Sequence, residues 1–104
     1  MTNENIEIEK VKSKVPKWLN NRQTQINSKI LISFLELNKK CDIVTIDMLK
    51  HKCNLPTFHS NFQQMCNFSK KNNAKIFSKL ENKIFLWDKV EGFILNEYKN
   101  SKYS

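Results

Sequence analysis

The sequence predicts a mainly helical domain with a small β-hairpin, which is an α+β fold. A length of 104 residues fits one compact domain. One glycine and two prolines leave little material for the many turns of an all-β protein. Apolar residues recur at helical spacing in several segments, and two strand-like runs occur close together near residues 75–87.

We divide the chain into three parts by composition. Residues 1–23 are polar with scattered Ile and Val, and they are predicted to be an N-terminal arm. Residues 24–99 are predicted to be the folded domain, and residues 100–104 a frayed tail. The arm is expected to be either disordered or docked on the domain through Ile6, Ile8 and Val11.

The clearest helical pattern lies in residues 24–39. At about 100° per residue, one face of this helix carries four large apolar side chains, namely Ile26, Ile30, Phe34 and Leu37. Further apolar residues extend around the circumference and leave only a narrow polar strip. A helix this apolar is covered on more than one side, so it is predicted to be central or to contribute to a dimer interface.

A short strand and a short helix are predicted next. The β-branched residues at 42–44 indicate the strand, and residues 46–53 form a two-turn amphipathic helix. Thr45 is a favourable N-cap for this helix, and Asp47 lies near the positive end of its dipole. Residues 54–56 contain a proline and are predicted to be a turn.

A longer helix is predicted over residues 57–71, with Thr57 as its N-cap. Phe58, Phe62 and Met65 fall within one narrow sector of the helical wheel, which predicts a buried side. The opposite side carries uncharged hydrogen-bonding side chains followed by two lysines. These residues are Ser60, Gln63, Gln64, Asn67, Lys70 and Lys71.

The segment at 75–87 predicts a β-hairpin. Two strand-like runs flank Glu81 and Asn82, although the glycine that is common in tight turns is missing. Lys79 and Lys83 flank the tip of this hairpin.

A last helix is predicted over residues 88–99, because Asp88 and Glu91 have the spacing of a capping box. This helix and the helix at 24–39 offer more apolar surface than the core of so small a domain needs. We therefore expect these two helices to form the interface of a homodimer.

The charge of the chain favours a polyanionic partner. The formal net charge is +8, from 18 Lys and Arg against 10 Asp and Glu. Residues 10–40 hold eight basic residues and one acidic residue, and residues 50–83 hold seven and one. Such basic stretches are typical of proteins that bind nucleic acid.

The order of the predicted elements is helix, short strand, short helix, turn, longer helix, hairpin and helix. Over residues 24–98 this order resembles the winged helix-turn-helix DNA-binding family. The resemblance implies that the short helix and the longer helix form the helix-turn-helix unit. It also implies that residues 57–71 are the recognition helix and that residues 78–84 are the tip of the wing.

The predicted DNA-binding residues lie on the recognition helix and the wing. Ser, Gln and Asn side chains hydrogen-bond base edges in a major groove, and lysines bind backbone phosphates. The full set is Thr57, His59, Ser60, Gln63, Gln64, Asn67, Lys70, Lys71, Lys79 and Lys83.

Other classes of function have little support in the sequence. The chain has no Gly-rich phosphate loop, nucleophile elbow or paired-carboxylate signature, so we expect neither an enzyme nor a cofactor. Three cysteines and two histidines show no CxxC or HxxxH pairing, so no metal site is expected. No secretory segment and no run of ~18 apolar residues is present, which favours a cytoplasmic protein associated with nucleoid or plasmid and not with membrane.

The expected function is therefore binding of double-stranded DNA by a homodimeric, repressor-like transcriptional regulator. One alternative is a centromere-binding partition adaptor of a plasmid or phage, similar to the TubR-like proteins of tubulin-type partition systems. Such an adaptor has a filament-forming GTPase as a further partner. A second alternative is a winged-helix module that binds proteins and not DNA.

Overall fold

Five helices and a three-stranded antiparallel sheet make up the part of the chain that the computed structural model describes, which is residues 3–20, 25–68 and 74–102. The α+β class predicted from the sequence is confirmed. In chain order the elements are α1 (Asn3–Asn20), α2 (Ile26–Lys40), β1 (Val44–Thr45), α3 (Ile46–Cys53), α4 (Phe58–Cys66), β2 (Phe77–Leu80), β3 (Lys83–Leu86) and α5 (Glu91–Lys99).

The α2 helix is the centre of the fold. Helices α1, α3 and α4 all pack against it, and Ile30, Leu31, Phe34 and Leu35 are buried. Because these four side chains point in several directions around the helix, α2 needs neighbours on more than one side. Those neighbours belong to the same chain. The large apolar surface of α2 is thus explained without a second copy of the protein.

The N-terminal segment forms α1, an 18-residue helix that contributes to the core. Val11, Val15 and Leu19 are completely buried. Of the three residues through which the arm was expected to dock, Val11 is buried, Ile8 is partly buried against the core and Ile6 is exposed. This segment is therefore docked along its length, and α1 packs against both α2 and α5.

Two buried polar side chains connect α1 to the rest of the molecule. The Ser28 hydroxyl donates a hydrogen bond to the carbonyl oxygen of Trp18. The Glu7 side chain is only 3% exposed; one carboxylate oxygen accepts a 2.8 Å hydrogen bond from the backbone N–H of Lys75. The other oxygen lies 3.2 Å from the Lys10 ammonium. These partners compensate the cost of removing a carboxylate from water.

The three strands are arranged in the order β1-β3-β2. Val44 lies opposite Ile84, and Phe77 lies opposite Leu86. The predicted hairpin is confirmed, and Glu81 has a φ of 58° in its turn. The first strand covers Val44–Thr45 and not residues 42–44 as predicted, because its pairing with β3 determines where it begins.

Four phenylalanines join α2, α4 and β2. The ring of Phe77 lies 5.1 Å from Phe34 and 5.4 Å from Phe62, measured between centroids. Phe62 in turn stacks on Phe58 at 5.2 Å. These contacts fix the position of α4 relative to the hairpin, which are the two elements that carry the predicted site.

The capping residue predicted for α3 is confirmed. The helix covers Ile46–Cys53, and the Thr45 hydroxyl accepts a 3.2 Å hydrogen bond from the backbone N–H of Met48. The helix ends at Asn54, which adopts the left-handed conformation.

Two other predicted helix boundaries are wrong. The α4 helix ends at Cys66 and does not continue to residue 71, and the Thr57 side chain makes no capping hydrogen bond. The α5 helix begins at Glu91, so Asp88 lies in the preceding turn and the N-cap position belongs to Val90. At the C-terminal end, Ser101 is buried and its hydroxyl bonds to the Tyr98 carbonyl oxygen, so the tail is anchored at least to this residue.

We expect the two threonine caps to differ in stability measurements. Thr45→Ala removes a capping hydrogen bond and should lower the free energy of unfolding by about 1 kcal/mol. Thr57→Ala removes no such bond and is the matched control, with a change within about 0.5 kcal/mol. Urea unfolding of both variants measures the difference. Equal destabilisation of the two variants would contradict the assignment.

Candidate nucleic-acid interface

The α4 helix has two distinct sides. Its buried side is held by Phe58, Phe62 and Met65 against α2, α3 and β2. This burial agrees with the apolar sector predicted from the sequence. The other side is exposed and presents uncharged polar side chains, namely those of His59, Ser60, Gln63 and Gln64. The helix contains no acidic residue, so the exposed side carries no charge that opposes a polyanion.

Residues that precede β2 donate hydrogen bonds to the carbonyl oxygens at the C-terminal end of α4. The backbone N–H of Ile76 donates to the Met65 carbonyl oxygen at 2.8 Å. The Lys75 ammonium donates to the carbonyl oxygens of Cys66 and Phe77, at 2.7 and 3.2 Å. A cation at a helix C-terminus satisfies carbonyl groups that have no partner inside the helix. These contacts explain why α4 stops at Cys66.

Sequence reasoning did not identify Lys75. It is one of many lysines, and its role depends on a helix end that the helical wheel misplaced. The ammonium also lies 5.7 Å from the centroid of the Trp87 ring, which is a cation–π contact. The only sequence signal of a structural role for Lys75 is its position between two apolar residues, Ala74 and Ile76. Both of these residues are buried.

Two predicted site residues, Ser60 and Asn67, donate side-chain hydrogen bonds to nearby backbone carbonyl oxygens. The Ser60 hydroxyl donates to the Thr57 carbonyl oxygen at 3.2 Å. Asn67 follows the end of α4 in an extended conformation, and its side-chain nitrogen donates to the Gln63 carbonyl oxygen at 2.9 Å. Asn67 is therefore not part of the helical face on which it was predicted, although it is exposed beside it.

The hairpin brings one of its two predicted lysines to α4. The Lys79 ammonium lies 3.5 Å from the side-chain oxygen of Gln63. Lys79 pairs with the buried Ile84 in the sheet, whereas Lys83 pairs with the exposed Leu80. Because side chains alternate between the faces of a strand, Lys83 lies on the opposite face of the hairpin from Lys79.

Lys70 and Lys71 were also predicted to belong to the site. They lie outside the described residues.

Further basic side chains lie at the end of α3, the helix that precedes α4 and packs against it. Lys50, His51 and Lys52 are exposed in its last turn. Lys52 forms a 3.9 Å ion pair with Glu36 of α2. Lys50 and Lys52 belong to the basic stretch at residues 50–83 that favoured a polyanionic partner, but none of the three residues was predicted as a site residue.

Other kinds of site have weaker support. An open groove between α2 and α3 is lined by Leu37, Asp47, Met48, His51 and Lys52. Within residues 3–20, 25–68 and 74–102, no three His, Cys, Asp or Glu side chains are grouped so that they can hold a metal ion. No helix in these same ranges combines the length and the apolar character that crossing a bilayer requires.

The cysteines near this surface are poor nucleophiles. Burial raises the pKa of the Cys66 thiol to about 11, against the opposing effect of the Lys79 and Lys75 charges. Burial likewise raises the pKa of Cys53, opposed by a hydrogen bond with Ser33 and by the charge of Lys52. A raised pKa keeps a thiol neutral, and a neutral thiol is unreactive. Packing explains these two cysteines better than thiol chemistry does.

Comparison of the chain with protein-family models, with curated proteins and with solved structures finds no match.

The raised pKa of Cys66 predicts a pH dependence of stability. The folded state favours the neutral thiol, and the unfolded chain ionises near the ordinary value of 9.0. The stability that this group contributes is therefore present below about pH 9 and is lost as the pH rises towards 11. The difference in unfolding free energy between the protein and Cys66→Ala should narrow between pH 8 and pH 11, as measured by urea unfolding.

The matched control is Met65→Ala, which truncates a neighbouring buried side chain that does not titrate. The prediction is contradicted if the difference in unfolding free energy between the protein and Cys66→Ala is as independent of pH as the difference between the protein and Met65→Ala.

Proposed function

We propose that this protein binds double-stranded DNA in the manner of a winged helix-turn-helix domain, with α4 in the major groove. The observation that carries the proposal is the exposed side of α4, where hydrogen-bonding side chains stand beside a lysine of the hairpin. Gln63 and Lys79 belong to different elements, yet their side chains meet at 3.5 Å. Uncharged polar groups suit base edges, and ammonium groups suit an anionic partner.

The dimensions of α4 support the proposal. Its nine residues give a length of about 13 Å at 1.5 Å per residue. The major groove is about 12 Å wide, which accommodates the ~10–12 Å diameter of an α-helix with its side chains, so the whole length of α4 can lie in it. The element order from α2 to α5 is the order on which the resemblance rests, and β1 pairs with β3, so the hairpin is tied to the chain that leads into α3.

The proposed roles on α4 are assigned from the exposure of its side chains and from the hydrogen bonds of Ser60 and Asn67. Gln63, Gln64 and His59 face outward on α4 and are assigned to base edges. Ser60 donates its proton within its own helix, so it is assigned as a hydrogen-bond acceptor. Asn67 is assigned to the edge of the contact surface, because its amide nitrogen is bonded to the Gln63 backbone.

The basic groups are assigned to phosphates. Lys83 is exposed on the hairpin face opposite Lys79, and the basic residues that end α3, the helix packed against α4, are exposed as well. Lys70 and Lys71 retain the phosphate role that the sequence suggested.

The proposed biological role is that of a repressor-like transcriptional regulator that acts by occupying DNA as a homodimer. A two-fold dimer matches a palindromic site with two half-sites. The alternative role, a TubR-like partition adaptor, predicts tandem repeats in the bound DNA. Selection of bound sequences from random duplexes separates the two roles, and light scattering measures the oligomeric state.

A second candidate function is a protein-binding module, which one observation favours. Three large apolar side chains are exposed on or beside the sheet: Leu80 and Phe85 lie on its outer face, and Ile43 directly precedes β1. Ile43 is 45%, Leu80 63% and Phe85 41% exposed. Apolar side chains clustered on a surface are typical of protein contacts. Lys83 lies on this same face of the hairpin, so a protein partner that binds there competes with the phosphate contact assigned to Lys83 but leaves the exposed side of α4 open.

The first test of DNA binding is its dependence on salt. Each phosphate contact should add about −0.9 to the slope of log affinity against log salt concentration. Lys83→Ala should therefore make this slope less negative by about 0.9, as measured by fluorescence anisotropy with a random duplex. Lys99→Ala removes the same charge from an exposed position on α5, which packs against α1, and should leave the slope unchanged. No binding at low salt would contradict the proposal.

The second test concerns base readout by α4. Gln64→Ala should weaken binding to a selected site by about 1–3 kcal/mol and leave non-specific binding unchanged. The matched control is Asn96→Ala, which removes an exposed amide from α5. A selected site that binds Gln64→Ala as tightly as the unmodified protein would show that Gln64 makes no base contact.

A further inference from the structure

The contact between Gln63 and Lys79 determines which end of the Gln63 amide faces the hairpin. The Lys79 ammonium lies 3.5 Å from the Gln63 side-chain oxygen. A lysine ammonium has three hydrogen-bond donors and no acceptor. The amide oxygen, and not the amide nitrogen, must therefore face it. The Gln63 amide group thus has a chemically defined orientation.

This orientation leaves donors available to a ligand. Gln63 retains both N–H groups of its amide, and Lys79 retains two of its three. The amide oxygen is the one acceptor of the pair, and it lies beside a positive charge. A ligand that donates a hydrogen bond to this oxygen has to approach the ammonium group closely. The two side chains together therefore favour a ligand with acceptors only.

The packing below the two side chains holds them together. Gln63 follows Phe62 on α4, and Lys79 lies two residues after Phe77 on β2, on the same face of that strand. The rings of Phe62 and Phe77 are 5.4 Å apart and both are buried. The pair is thus supported by the core, although its own side chains are exposed.

We propose that Gln63 and Lys79 act as one composite hydrogen-bond donor that recognises the major-groove edge of guanine. Guanine presents two neighbouring acceptors there, N7 and O6. Adenine presents an acceptor and a donor, cytosine a donor, and thymine one acceptor beside a methyl group. Glutamine alone commonly forms a two-bond contact with adenine. Lys79 shifts the preference of Gln63 from adenine to guanine. This inference rests on the proposed function and names the base that its central contact selects.

The pairing itself is tested in the free protein, without DNA. Lys79→Met preserves the length of the side chain and removes its charge. It should shift the NMR resonances of the Gln63 side-chain amide. Lys83→Met makes the same chemical change on the other face of the hairpin and should not shift them. Gln63 resonances that are unaffected by Lys79→Met, or equally affected by both variants, would overturn the inference whatever the protein binds.

The base preference is tested by selecting bound sequences from random duplex DNA. The unmodified protein should select guanine at one position of each half-site. Lys79→Met should reduce the preference for guanine over adenine at that position about tenfold. Lys83→Met should weaken binding to all sequences about equally. If the selected DNA sequences lack guanine, or if the two variants select the same sequences, the inference is overturned although DNA binding itself still holds. Absence of any binding to duplex DNA would overturn the proposed function as well.

Discussion

The packing of Phe77 between Phe34 and Phe62 is the contact on which the arrangement of the candidate site depends. It joins a strand of the hairpin to α2 and to α4 through two ring contacts, each a little over 5 Å between centroids. The other contacts between α4 and the hairpin are hydrogen bonds at the end of the helix and the exposed contact of Lys79 with Gln63. A helix and a β-hairpin have no intrinsic preferred angle, so buried aromatic surface is what fixes the angle here. This buried contact therefore sets the relative positions of the exposed side chains on α4 and on the hairpin.

Local signals in the sequence predicted most of the elements. The Thr45 cap, the two sides of α4 and the hairpin around Glu81 each depend on residues close together in the chain, so a helical wheel and capping rules suffice. For α1, the sequence left disorder and docking open and did not predict a continuous helix. Its apolar residues are separated by many charged residues, and the partner that makes Glu7 acceptable in the core, Lys75, is 68 positions away. Contacts of that kind leave no trace in local periodicity.

The composition of the candidate site followed from the sequence, but its hydrogen bonding did not. The wheel correctly separated exposed from buried residues on α4. The wheel also extended the helix to residue 71. A helical wheel does not show that the Lys75 ammonium bonds to a carbonyl oxygen at the end of α4. The same limitation applies to Asn67, whose side chain bonds to the backbone of Gln63. Which amides are available to a ligand depends on these tertiary contacts.

The hydrogen bond between Glu7 and Lys75 has a consequence for how the chain folds as it is synthesised. The residues of α1 are synthesised before Lys75, so the carboxylate of Glu7 lacks this backbone partner until the segment that precedes β2 has followed. Burying it earlier would leave a desolvated charge without that bond, which costs free energy. Closing a loop of this length costs more conformational entropy than closing a short one. We therefore expect α1 to dock only after Lys75 has been made, with its apolar side exposed until then.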